Sequence, residues 1–284
     1  AASDVYKRQD FKDSSIFLSN EFELGFGFEG NADLDKSTTF TYLNFKSTFK
    51  NTSFMEFGNF HKAASKDFWI TRGNKDADFI KKPENYGTSL QYKGPSKNFF
   101  NYFLEIKREK GQQWGFSALG FSTSYTAKID LALKDNLKFS LMHQHSDEDN
   151  WLNWEKDNLL SLYENKKQRT TVASLNWFGG DRHELRMKAQ MVAFTARNPS
   201  AYLGDSSGSL NSFDLDLPPL TLGDLAFQVR YRYEILPLAY LYVVYSKGGR
   251  IVAYDEEDGL GEIYKRPWKD PQADTFTVKV RYRF

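Results

Sequence analysis

The C-terminal stretch from Asp274 to Phe284 alternates without a break. Phe276, Val278, Val280, Tyr282 and Phe284 fall on one parity, and Thr277, Lys279, Arg281 and Arg283 on the other. Successive side chains of a strand point to opposite faces, so this segment has one apolar face and one strongly basic face. A row of cations suits a wall whose polar side lines a wet interior. A strand of about ten residues, apolar outside and polar inside, is the unit of an outer-membrane β-barrel.

Composition points the same way. Aromatic residues make up 17% of the 284-residue chain, with 25 Phe and 16 Tyr. Yet the mean hydropathy is −0.61, polar on average. A chain rich in aromatics but polar overall fits alternating strands better than a packed helical protein. No run of about eighteen apolar residues occurs, which excludes a helical membrane span. The net charge of +1 gives no electrostatic case for nucleic acid, and the absence of cysteine removes disulfides and thiolate metal sites. Residues 1–9 lack an apolar core or a cleavage-like pattern and are similar to translated adapter sequence. They are set aside here as a non-native scar. Residues 10–284 are expected to form the barrel, as the C-terminal part of a larger protein.

Strands are expected over 20–30, 39–50, 54–62, 85–93, 99–108, 115–133, 137–145, 169–177, 183–196, 225–234, 239–247 and 276–284, about twelve in all. Short turns near 51, 95, 135, 180 and 236 alternate with longer connections at 31–38, 63–84, 109–113, 146–168, 197–223 and 248–273. Short on one side and long on the other is the up-and-down transmembrane pattern, with short periplasmic turns and long extracellular loops. A soluble β-sandwich is the alternative, but its connections would not sort by side.

Parity assigns faces. Glu21, Glu23, Lys128, Asp130, Arg230, Arg232, Lys279, Arg281 and Arg283 fall on lumen-lining positions. Phe276, Val278, Val280, Tyr282 and Phe284 fall on membrane-facing positions, and Tyr231, Tyr233 and Tyr282 suit a girdle near the periplasmic ends. Strand 239–247 is apolar on both faces, as if it faced a plug or a packed lumen. If 20–30 pairs with 276–284, Glu21 and Glu23 meet Arg281 and Arg283 across the seam, and the barrel closes.

Candidate chemistry is sparse. Gly25-Phe26-Gly27-Phe28-Glu29-Gly30 fits the dinucleotide fingerprint by letter, but its glycines lie inside an alternating strand. His143 and His145 share a face near Asp147, at the outer rim; a solvated rim is the better reading, so no metal is expected. Asp255 to Gly259 lacks the oxygen spacing of a calcium loop. No nucleophile elbow or metalloprotease motif occurs, and no catalytic residue or cofactor is assigned. Trp151 and Trp154 are candidate loop aromatics, either for stacking on a sugar or for anchoring a loop in the outer leaflet.

A family resemblance joins these readings. The Val278 to Phe284 ending resembles the C-terminal signal of outer-membrane barrel proteins. Phe68-Trp69-Ile70-Thr71-Arg72-Gly73 followed by Lys82-Pro83, and Phe227 to Leu238 followed by Leu241 to Gly249, are similar to segments of one barrel family. That family is an outer-membrane domain of unknown function that usually follows a family-9-type carbohydrate-binding domain. The chain departs from it at Asn74, where the family tends to have glycine, and carries no carbohydrate-binding domain. The resemblance implies location in the cell outer membrane, contact with its lipid, insertion by the barrel-assembly machinery, and a link to oligosaccharide binding or uptake. It supplies no catalytic residues. The expected function is a translocation pore or a surface-binding scaffold. The alternative is the barrel component of a surface glycan-active enzyme or hydrolase whose catalytic or binding domain lies elsewhere.

Overall fold

The computed structural model describes residues 3–30, 36–74, 76–97, 99–111, 119–253 and 259–282. Its strands are β1 (Ser3–Asp10), β2 (Phe17–Gly30), β3 (Lys36–Phe49), β4 (Phe54–Lys62), β5 (Ser65–Asp67), β6 (Ile80–Lys82), β7 (Asn85–Lys93), β8 (Phe100–Lys110), β9 (Phe121–Lys134), β10 (Leu137–Lys156), β11 (Leu159–Gly179), β12 (His183–Gly204), β13 (Leu210–Phe213), β14 (Leu220–Leu236), β15 (Ala239–Ala253) and β16 (Ala273–Arg281). One helix, α1 (Leu260–Lys269), precedes the last strand. Fourteen strands form one antiparallel up-and-down sheet in which neighbours in sequence are neighbours in space; β13 is a side branch on β12, and β5 and β6 form a separate ribbon. The all-β, up-and-down expectation holds, and all twelve expected strands are present as β2 to β4, β7 to β12 and β14 to β16. The expected start of β9 near residue 115, the acidic segment 255–258, and Arg283 and Phe284 lie outside the described residues.

Two expectations need correction, and one segment set aside above adds a strand. Residues 3–10 pair as β1 with β2 from Ser3↔Phe26 to Asp10↔Ser19. Its Tyr6 and Arg8 share the side of Glu23 and Glu21, so it alternates as the other strands do. The expected seam between 20–30 and 276–284 does not form, because β1 and β3 already occupy the two edges of β2. Among the described residues no ladder joins β1 or β2 to β16, and β16 is exposed along its whole length. Finally, much of the expected long loops is ordered. The polar segment 146–168 is a hairpin in which β10 and β11 continue to a tight turn at Asp157, φ 47°. β12 likewise runs on to Gly204, and α1 occupies part of 248–273. Strands of 20 to 22 residues reach roughly 65–75 Å at about 3.3 Å per residue, well beyond what the alternating segments alone require.

The sheet has two chemically different faces. On the convex face, Phe26, Phe57, Leu90, Leu104, Ile106 and Ile129 are all exposed. So are Phe276 (69% accessible), Val278 and Val280. These exposed apolar side chains share one face of the sheet, opposite its polar side. No described helix is long and apolar enough to cross a membrane. The concave face is polar, and side chains from β3, β4 and β7 to β11 line one cavity of about 750 Å³ there.

Glycines shape that concave wall. Gly25 stands opposite Tyr42, Gly27 opposite Phe40 and Gly87 opposite Phe60. A Cβ at any of the three would collide with the facing ring. Each aromatic therefore lies flat over the bare backbone of the next strand, which fills the space that glycine leaves. This accounts for the G-x-G run in β2: the next described element is β3, and the run holds rings, not a phosphate.

Candidate functional site

The interior can be read as rows of cross-strand partners. One row runs Gly25, Tyr42, Phe60, Gly87, Glu109, Ser122, Glu148, Lys166. Two rungs toward the short turns, another runs Glu21, Lys46, Glu56, Gln91, Glu105, Thr126, Gln144, Thr170. Alternation places both rows on one face because every pairing in them keeps register. The result is a cavity with an aromatic corner (Phe40, Tyr42, Phe60) and a wall of amides, hydroxyls and paired charges.

The charges in it are mostly neutralised locally. Glu23 accepts hydrogen bonds from the Tyr42 hydroxyl at 3.0 Å and the Asn44 amide at 3.2 Å. Glu105 accepts from Gln91 at 3.0 Å, and Lys107 lies 2.9 Å from Glu109. Lys166 donates to Glu148 at 2.8 Å, and both side chains are buried. The second Glu148 oxygen has no donor among the described residues. Burying two charges is costly unless they are closely paired, so this pair holds its geometry tightly.

A second cluster lies on β12 and β14. Glu184 is buried and faces three guanidiniums: Arg186, Arg232 at 2.9 Å and Arg230 at 4.0 Å. The sequence reading singled out Arg230 and Arg232 but missed Glu184 and Arg186. Their even parity on β12 was the available signal.

The other expected interior residues are placed as follows. Glu21 and Glu23 are on the concave face of β2, and Arg8 lies 3.6 Å from Glu21. Lys128 and Asp130 pair with each other along β9 at 3.0 Å. Lys279 and Arg281 stand opposite Tyr242 and Tyr240, and no ion pair reaches either from the described residues. Those tyrosines explain the doubly apolar β15. Leu241, Val243 and Tyr245 share the convex parity, while Tyr240 sits on the concave side under the Arg232 guanidinium, 5.3 Å from its ring.

The two tryptophans are not open platforms. Trp151 is only 5% accessible and packs with Tyr163, Ala196, Phe194 and Leu220, with the Lys166 ammonium 4.9 Å from its ring. Asn165 has φ 55°, and the Asp149/Asn165 rung is missing between β10 and β11. That irregularity breaks the alternation and brings odd-numbered Trp151 beside Lys166. The face of Trp154 is covered by the Arg72 guanidinium at 4.0 Å, and its indole N–H donates to the Asp157 carbonyl. Arg72 belongs to the Phe68 to Gly73 segment, an arm whose Ile70 and Ile80 pack on Leu152 and Leu160 of the extended hairpin. Trp69, at its tip, is 90% accessible. Burial pushes Lys82 at the base of this arm below its ordinary pKa, opposed by Asp67.

His143 bonds Thr171 at 2.7 Å and His145 bonds Asp147 at 3.1 Å. Among the described residues no group of three metal-ligating side chains gathers.

At the β12–β13 turn, the Asp205 carboxylate accepts from the Ser207 hydroxyl, the Ser209 and Ser207 amides and the Asn211 side chain. These donors, the Ser207 hydroxyl first, hold its pKa below the usual carboxylate value. With the folded value depressed, the stabilisation is present above the unfolded pKa of about 3.9 and is lost as pH falls below it. Acidification is therefore expected to lower the protection factors of the Ser207 and Ser209 amides, relative to the intrinsic rate at each pH, before the rest of the sheet opens. Asp205→Ala should show that low protection already at neutral pH. Unchanged protection in the variant would dismiss the carboxylate as the organiser of the turn.

No model of a known protein family matches the chain, and neither does any curated protein sequence.

Proposed function

We propose that this chain forms the wall of an outer-membrane pore that passes small hydrophilic solutes. The observation that carries the reading is the opposition of the two faces: an exposed apolar convex surface and a polar, cavity-bearing concave one. In water the first is a liability and the second has no purpose. In a bilayer the first contacts lipid and the second is a hydrated path. Aromatic residues at both ends of the convex face support this. Tyr233 stacks with His183 near the short turns, while Tyr86 and Phe121 stand with Arg108 and Lys110 toward the other end. Such residues suit the two membrane interfaces.

Lipid is then the partner of the convex face, the barrel-assembly machinery inserts the chain, and an oligosaccharide is one cargo of suitable polarity. A surface-binding scaffold is the weaker reading, because Trp151 and Trp154 are engaged in packing. The test is conductance of the refolded full-length chain in a planar bilayer. Stable unitary steps that scale with salt are expected. Silence from protein that is inserted and folded would overturn the pore and return attention to the arm carrying Trp69.

A further inference from the structure

The concave face is electrically divided. The rows from β2 to β8 carry Glu21, Glu23, Glu56, Glu105 and Glu109, most of them matched to neighbouring donors. Toward the short-turn end of β12 to β16 the balance reverses. There Arg186 and Arg230 are direct cross-strand partners, and Arg232 is one rung on. Like charges directly opposite destabilise a sheet. Glu184 is the one described carboxylate within ion-pair distance of these three; Glu234, on the same parity one rung beyond Arg232, pairs with none of them, and the local balance stays positive.

The three guanidiniums remain open to the interior: their side chains are 50%, 43% and 38% accessible, whereas Glu184 beneath them is buried. The surplus widens on both flanks. Lys279 shares a row with Arg232 through Tyr242, and Arg281 follows one rung on. Lys138 shares a row with Arg186 through Asn176, with Lys188 one rung away. None of these four has an ion-pair partner among the described residues.

We propose that this cluster is a binding site for a phosphate-bearing solute, centred on Arg186, Arg230 and Arg232. Guanidinium forks match phosphate oxygens in pairs of parallel hydrogen bonds. A phosphate monoester carries about −1.5 to −2 charge at neutral pH, which the three guanidiniums and the cations on either flank can offset. Glu184 acts as a positioning residue: it holds the guanidiniums from below and leaves their outward N–H groups for the ligand.

The site gives the pore reading a substrate class, yet its occupancy can be measured without a pore. The full chain is refolded in detergent, and inorganic phosphate is titrated while its ³¹P resonance is followed. Saturable broadening is expected, and it should persist against chloride or acetate at matched ionic strength. Arg230→Gln/Arg232→Gln should weaken it by roughly tenfold or more. Lys46→Gln, on the β3 wall, should not. A folded-versus-heated mobility shift on a gel verifies that each variant has folded, and Lys279→Gln/Arg281→Gln serves if the arginine pair does not fold. An intermediate loss is expected there. Phosphate that fails to broaden with folded wild-type protein, or broadens equally in the arginine variant, overturns the site. Phosphate binding without bilayer conductance would overturn the pore and leave the site standing.

Discussion

Leu104→Arg is expected to destabilise the protein in lipid vesicles by about 2–4 kcal/mol, while Thr126→Arg costs about 0–1 kcal/mol. The two positions are neighbours in the same wall. Leu104 of β8 pairs with Ala127 of β9, and Thr126, the next residue, pairs with Glu105. They differ only in the face they occupy. Leu104 is exposed on the convex side, so an arginine there is held in hydrocarbon or must snorkel to an interface. At Thr126 the same arginine enters the polar interior between Glu105 and Gln144, where water and a carboxylate receive it. Urea titration of folding into vesicles measures both. A soluble sandwich would give the reverse order, with Leu104→Arg harmless in water and Thr126→Arg costly in a dry core. That reversal would end the membrane reading.

Glu148→Leu should be the most damaging single change at the interior pair, at about 3–5 kcal/mol. It leaves the Lys166 ammonium buried, with the rings of Trp151 and Phe194 as its favourable neighbours among the described residues. The pair itself need not stabilise the fold relative to apolar residues, since its own desolvation is costly. Glu148→Leu/Lys166→Met should therefore recover most of the loss. A double-mutant cycle in urea reads the coupling directly. If Glu148→Leu costs less than about 1 kcal/mol, Lys166 reaches water and the pair is solvated after all.

What the sequence made legible follows from the period of two. Wherever apolar and polar residues alternate strictly, as in 125–133 or 225–234, both strand and face could be read, because a strand has no other way to sort them. The hairpin beyond 146 was not legible for two reasons. Its polar composition resembles a loop, and the break at Asn165 flips parity where no glycine or proline announces it. Helix α1 was hidden by Pro267 within a span of 10 residues. The inward rings of Phe40, Tyr42 and Phe60 look misplaced until register is known; only then do Gly25, Gly27 and Gly87 appear opposite them. Among the site residues, single charges could be assigned a face, but the meeting of three arginines on Glu184 required the pairing of β12 with β14.

The first strand changes the arithmetic of closure. β1 and β16 run in the same direction, since neighbours are antiparallel and the path from one to the other counts thirteen staves, the two ends included. A wall with an odd count can be joined only through one parallel seam, a slanted and slightly weaker ladder that odd-stranded barrels do employ. Such a seam would also bring Arg8 toward the cationic row of Lys279 and Arg281. By contrast, β16 laid on β2 would be antiparallel and would set those cations against Glu21 and Glu23. β1 holds that edge instead, and Arg8 meets Glu21 in place of a partner from β16. It is tethered to β2 through residues 11–16 alone. So short a linker gives it an effective concentration on the order of millimolar at the edge. In that sense β1 is an intramolecular competitor for the terminal strand, occupying the position from which a twelve-stave ring would close.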